Sequence, residues 1–161
     1  MVVYAPAEPD VIGGLIVHLR AALPIAALVN TLGTQRVSAA LSKRWAMPDY
    51  AIVMHSAGGP GGIEGTTLDR ARVDFLCYGP GNTYDTRART ATDLYRTLKA
   101  VLCPPVGMGI PRSFRVNAMG LMVWDVNQSG KYMVNAEPET DWARNVSSFI
   151  FLYGQIPYVT V

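Results

Sequence analysis

Residues 48–105 contain the pattern that decides the fold. An apolar segment, PDYAIVMHSA (48–57), leads through the glycine-rich stretch GGPGGIEGTT (58–67) into LDRARVDFLCYG (68–79). In the last segment, apolar and polar residues alternate, which is the period of a strand with one packed face and one exposed face. The pattern therefore predicts two strands, Tyr50–His55 and Arg70–Tyr78, joined by a glycine loop.

The segment that follows predicts an amphipathic helix. In TRARTATDLYRTLKAVL (86–102), the apolar residues recur every three or four positions and the charged residues occupy the opposite side. Thr83 or Asp85 is positioned to cap its first turn. Pro104 and Pro105 end it, because proline cannot continue a helix.

The remaining elements are predicted from weaker patterns. Asp10 or Glu8 precedes a helix that runs to about Ala22, and Pro24 closes it or starts a new turn. The strand patterns are Arg36–Leu41, a long strand Arg112–Val126 bent at Gly120, Lys131–Asn135 pairing back as a hairpin arm, and Val146–Tyr153. The order predicts an α+β domain. We expect a mostly antiparallel sheet of about five strands with two helices packed on one face, in one domain, 1–161, with extended N- and C-terminal arms.

The composition favours a protein that is partly covered by a partner. Half of the 161 residues are hydrophobic, whereas 16% are charged, below the fraction usual for soluble domains. A compact monomer with a Ser-, Thr- and Asn-rich surface is the alternative. The net charge of +2 is too small to predict nucleic-acid binding. The N-terminus has no signal-peptide pattern and no apolar run has the length of a membrane span, so we expect no membrane.

The sequence predicts no catalytic, cofactor-binding or metal site. The glycine loop has no Gly-Lys-Ser/Thr, carries Glu64 and leads into a strand, so it differs from a phosphate-binding loop. His18 and His55 have no ligand partners at metal spacing, and we expect both to be packed or surface side chains. Cys77 and Cys103 are predicted to be reduced and buried rather than linked by a disulfide. We therefore expect a protein that is not an enzyme.

Two pairs of arginines are candidate contact residues. Arg70 and Arg72 project from one strand face, and Arg87 and Arg89 lie on the polar side of the helix. A solvated face is the simpler interpretation. The alternative is an electrostatic contact with an acidic partner or with DNA passing nearby.

The order of elements resembles one protein family. The resemblance is carried by Leu-Arg-Ala-Ala-Leu-Pro (19–24), Pro-Asp-Tyr (48–50), Gly-Gly (58–59), Ala-Arg-Val-Asp-Phe-Leu-Cys-Tyr-Gly (71–79), the Ala-rich helix and Trp-Ala-Arg (142–144) before the last strand. These features resemble the tail terminator, or tail completion, proteins of long-tailed bacteriophages. The long glycine loop and the segment after Tyr153 depart from that pattern.

The resemblance implies a structural protein of the virion, assembled in the host cytoplasm. It implies a homohexameric ring that caps the tail tube, stops its polymerisation and provides a docking surface for the neck. Its partners would be other copies of itself, the tail tube protein and the head–tail connector, with DNA passing through the lumen without sequence-specific binding. Candidate assembly contacts are Gly58, Gly59, Gly61, Gly62, Glu64, Arg70 and Arg72. Another connector or neck ring protein is the alternative, followed by a small ligand-binding domain that uses the glycine loop.

Overall fold

The computed structural model describes residues 9–29, 36–40, 49–58, 68–138 and 140–155. Within these residues it contains three α-helices, seven strands and one 3₁₀ turn. In chain order they are α1 (Val11–Ala21), α2 (Leu23–Val29), β1 (Val37–Ser38), β2 (Ala51–Ser56), β3 (Asp69–Tyr78), α3 (Tyr84–Leu102), β4 (Phe114–Val116), the 3₁₀ turn (Asn117–Met119), β5 (Leu121–Gln128), β6 (Met133–Ala136) and β7 (Ala143–Gln155).

The strands form one mixed sheet in the order β1-β2-β3-β7-β5-β4, and β6 also pairs with β7. Among the described strands, β1 and β2 run parallel and the other pairs are antiparallel. The α+β class is confirmed. The expected sheet of about five strands with two helices is roughly consistent with the structure, since three of the seven described strands have four residues or fewer and α2 follows directly after α1.

The N-terminal segment forms two helices in succession, and Pro24 is compatible with the second helix because it lies in the first turn. Asp10 caps α1 by accepting a hydrogen bond from the Gly13 N–H at 2.8 Å. Pro24 is the second residue of α2, where its missing N–H costs no helical hydrogen bond. The two helices meet at 85°. No single described helix is long and apolar enough to cross a membrane, although this bent pair passes by length and composition.

The core lies between the helices and one face of the sheet. Leu15 and Leu19 of α1 and Leu94 and Leu98 of α3 are fully buried there with the alternating apolar residues of β3 and β7. The rings of Phe75 and Phe149 contact edge to face, with centroids 5.4 Å apart. The predicted alternation of β3 is confirmed from Arg70 to Phe75, where Val73 and Phe75 are buried and Arg70 and Arg72 are exposed. It does not hold at the end of the strand, where Leu76 and Tyr78 are buried on the opposite face in a second apolar cluster with β2.

β5 and β6 act as two parts of one interrupted strand alongside β7. Gln128 pairs with Phe149 and Met133 pairs with Val146. An advance of five residues from β5 to β6 therefore corresponds to an advance of three residues along β7. Gly130, at φ +78°, lies in the resulting bulge. Lys131–Asn135 was predicted to pair back as a hairpin arm. The predicted partner strand was wrong, because β6 pairs with β7 and not with the strand that precedes it.

The predicted long strand Arg112–Val126 is in fact a hairpin. β4 ends at Val116, the 3₁₀ turn follows, and β5 returns antiparallel from Leu121. Gly120 adopts φ +60°, a left-handed conformation that glycine reaches without the steric cost borne by other residues. The glycine was therefore the site of a reversal rather than of a bend. The predicted N-terminal arm, residues 1–8, lies outside the described residues. Of the predicted C-terminal arm, residues 154–161, Gly154 and Gln155 belong to β7 and the rest lies outside the described residues.

Candidate assembly surfaces

Gly58 marks the point where the β2–β3 hairpin opens. The Ala57 N–H donates to the Arg72 carbonyl at 2.9 Å, and the Arg72 N–H donates to the Gly58 carbonyl at 2.6 Å. Gly58 has φ +76°, so the chain turns out of the ladder there in a conformation that favours glycine. The other predicted contacts in the loop, Gly59, Gly61, Gly62 and Glu64, lie outside the described residues. The structure thus brings together Gly58 and Arg72.

Arg70 and Arg72 lie on the sheet face that points away from the helices. The Arg72 Nη2 donates to Ser148 Oγ at 3.2 Å, and its Nε is 3.6 Å from Asp74 Oδ1. Ser148 in turn donates to Asp74 at 2.5 Å. Arg72 is therefore partly neutralised by a local network, whereas Arg70 forms no ion pair with the described residues.

A β-bulge exposes an aromatic side chain on β5, two strands away from Arg70 in the sheet. The register between β5 and β7 shifts by one residue between Val123 and Asp125, and the extra residue is Trp124. Val123 is buried on the helix side, while Trp124 is 48% exposed. Asp125 pairs with Leu152, which pairs with Arg70 on its other side. Sequence reasoning missed Trp124, because simple alternation does not reveal an inserted residue.

The loop from Pro105 to Pro111 exposes a cluster of apolar side chains. Val106 is 90% exposed, Met108 64% and Ile110 56%. The base of the loop is fixed, since Arg112 Nε donates to the Pro104 carbonyl at 3.3 Å and Cys103 Sγ donates to the Val126 carbonyl at 3.2 Å. Three large apolar side chains on one loop, outside the core, are typical of a contact surface. The sequence signal is the run Val-Gly-Met-Gly-Ile (106–110) between two prolines, for which no contact role was predicted.

A second exposed apolar position lies on the helical side of the molecule. Leu23, at the start of α2, is 82% exposed, and Val17 of α1 is also exposed. The loop after α3 and the α1–α2 pair are different elements. The described chain therefore carries apolar surface at more than one place.

The titratable groups do not converge on one site in the part of the chain that the structure describes. The ring of His18 stacks on Phe114 with centroids 3.7 Å apart, and burial lowers the pKa of His18. Burial also raises the pKa of the Cys77 thiol and of the Cys103 thiol, so both are protonated and weakly nucleophilic at neutral pH. Among the residues that the structure describes, no group of three His, Cys, Asp or Glu side chains is placed to hold a metal ion. His55 is exposed on β2, opposite Asp74.

The surfaces that the structure offers are thus an apolar loop, an apolar helix end and a mixed basic and aromatic sheet face. No protein-family model matches this sequence, and none of the curated proteins compared with it is significantly similar.

Proposed function

We propose that this protein is a structural component of a phage tail: a tail terminator that forms a hexameric ring on the tail tube, stops tube growth and receives the neck. The observation that carries the proposal is the exposure of apolar side chains on two different elements, the Pro105–Pro111 loop and the start of α2. A ring is built from heterologous contacts, in which each subunit offers two different patches to its two neighbours. The α+β fold and the order of elements support the same proposal.

The low charge of the chain agrees with this role. Surfaces that become buried between subunits are depleted in charged residues, and only 16% of this chain is charged. In the proposed ring, the loop after α3 inserts against a neighbouring subunit. The sheet face with Arg70 and Arg72 faces either the lumen, through which DNA passes, or the tube.

The experiment that tests the proposal combines native mass spectrometry with electron microscopy of the purified chain mixed with tail tubes. We expect six-fold rings at one end of each tube, and tubes that stop growing when the chain is added during polymerisation. Rings that form but ignore the tube ends would favour the alternative, a connector or neck component. A monomer that binds no tube would reject both and leave the ligand-binding alternative.

A pair of variants links this test to the apolar loop. Val106→Asp places a charge on a side chain that is 90% exposed, so the fold should be unchanged within about 0.5 kcal/mol while ring formation is lost. Ala118→Asp is the matched control, because Ala118 is an exposed residue of the 3₁₀ turn outside this loop. Rings that form equally well from both variants would exclude the loop from the subunit contact.

A further inference from the structure

One edge of the sheet is open within the described residues. β6 pairs with β7 on one side, and no described strand pairs with its other side. The Glu137 N–H donates to the Trp142 carbonyl at 2.7 Å. Because backbone groups alternate in direction along an antiparallel ladder, Met133 and Asn135 bond towards β7. The N–H and C=O groups of Val134 and Ala136 therefore point to the open side.

By contrast, the opposite edge of the sheet, formed by β1, is covered by a side chain. In β1, the Arg36 carbonyl accepts from the Ile52 N–H of β2 at 2.8 Å, so the groups of Val37 point outward. The guanidinium of Arg20 covers that position, donating to the Val37 carbonyl from Nε at 3.2 Å and from Nη2 at 2.8 Å. A blocked edge of this kind prevents pairing with another chain. β6 has no such cover among the described residues.

Three of the four side chains of β6 are apolar and exposed, and the fourth, Asn135, is half-buried and accepts a hydrogen bond from Arg144 Nε at 2.9 Å. Met133 is 57% exposed, and its neighbours Tyr132 and Val134 are also exposed. Open, apolar edge strands are surfaces on which another strand adds by backbone hydrogen bonds. The edge therefore fits an extended strand rather than a helix or a small molecule.

The charges at its two ends select the partner. Lys131 lies three residues before Val134 and Glu137 lies three residues after it. In an antiparallel pair of two identical strands centred on Val134, Lys131 stands opposite Glu137 of the partner subunit, and the same pair occurs twice. Opposite charges directly across a strand pair are stabilising. Glu137 also accepts hydrogen bonds from Thr140 within its own turn, which holds its carboxylate at the end of the strand.

We infer that the open edge of β6 pairs with the β6 edge of a second copy of this chain, antiparallel and about a two-fold axis at Val134. Val134 then faces Val134 of the partner subunit, Tyr132 faces Ala136 of the partner subunit, and about six backbone hydrogen bonds form. The two sheets become one continuous sheet. This contact closes after two copies, whereas a ring needs heterologous contacts, so it is independent of the proposed function and is tested separately.

Cysteine cross-linking of the full chain tests the register directly. In a Val134→Cys variant the two new thiols face each other, with α-carbons about 5.5 Å apart, which suits a disulfide. In an Ala136→Cys variant the equivalent α-carbons are offset by about 13 Å, which is too far for one. The natural Cys77 and Cys103 are buried in both. We expect a covalent dimer on mild oxidation from the first variant alone. Cross-linking of both to the same extent, or of neither, would overturn the inference.

Sedimentation equilibrium tests the contact without a cross-link. In the absence of tail tubes, the natural chain should form a dimer of twice its 17.5 kDa mass. Val134→Pro should be monomeric with an unchanged melting temperature, because the N–H that it removes points away from β7. Lys131→Glu should raise the dimer dissociation constant about tenfold at low salt and less at high salt. A natural chain that stays monomeric, or variants that associate as it does, would contradict the inference.

Discussion

At the scale of single residues, His18 shows how burial makes the fold sensitive to pH. Its ring lies flat on Phe114, in the contact between α1 and β4, and burial lowers its pKa below the ordinary value of 6.5. The unfolded chain then binds a proton at a higher pH than the folded chain does. The stability contributed by the neutral ring is complete above about pH 6.5 and is lost as the pH falls through the folded pKa.

We therefore expect the free energy of unfolding to decrease as the pH falls from about 7.5 to about 5, because the unfolded chain binds a proton on this ring before the folded chain does. Urea titrations across this range measure it. His18→Phe keeps an aromatic ring on Phe114 and removes the proton, so its stability should depend less on pH. The matched control is His55→Ala, which replaces an exposed histidine of β2 outside the contact between α1 and β4. Equal slopes for all three proteins would show that His18 is not the sensitive group.

At the scale of elements, α3 is the part of the structure that sequence reasoning predicted best. Thr83 caps it in a reciprocal capping box with Thr86, and the helix ends before Pro104. Its apolar stripe was predicted to face the core, and Leu94 and Leu98 are indeed fully buried against the sheet. Strong periodicity over 19 residues leaves few alternatives.

Leu98→Ala should lower the free energy of unfolding by about 2–5 kcal/mol, because it removes a buried side chain and leaves a cavity. Lys99→Ala is the matched control one residue on. Lys99 is exposed, and its substitution should cost less than about 0.5 kcal/mol. Chemical denaturation of the two variants beside the natural chain measures the difference. A loss below about 1 kcal/mol for Leu98→Ala would mean that this face of α3 is not part of a tight core.

The elements that the sequence did not predict are those where tertiary pairing overrides a local pattern. Residues 112–126 are apolar enough for one strand, yet the chain reverses at Gly120 to satisfy pairing on β5. β1 is two residues long and depends on β2 and on Arg20 for its position, so it has almost no local signal. Bulges are equally invisible, as Trp124 shows, because they change the register without changing the composition.

At the scale of the whole molecule, the sequence predicted one of the candidate assembly surfaces and missed another. The alternation in β3 was enough to place Arg70 and Arg72 on the face away from the core, and the structure confirms that placement. The exposure of the Pro105–Pro111 loop, between α3 and β4, was not predicted from the sequence, because Val, Met and Ile side chains are more often buried than exposed. The proposed assembly would thus depend on exposed apolar and basic side chains whose placement is set by the fold.

Charge reversal on the sheet face with Arg70 and Arg72 should affect assembly more than folding. Reversing the charges in Arg70→Glu/Arg72→Glu removes the Arg72 contacts with Ser148 and Asp74, which are exposed and worth about 1 kcal/mol or less. The same substitutions change the charge of the face by four units, because two positive groups become two negative ones. If this face meets DNA in the lumen or an acidic surface of the tube, capping should fail while the melting temperature falls by only a few degrees. Arg96→Glu/Lys99→Glu makes the same charge change at two exposed residues of α3 and serves as the control. Normal tail length and infectivity with the first variant would show that the sheet face with Arg70 and Arg72 has no part in assembly. An equal loss of capping with both variants would point to net charge alone.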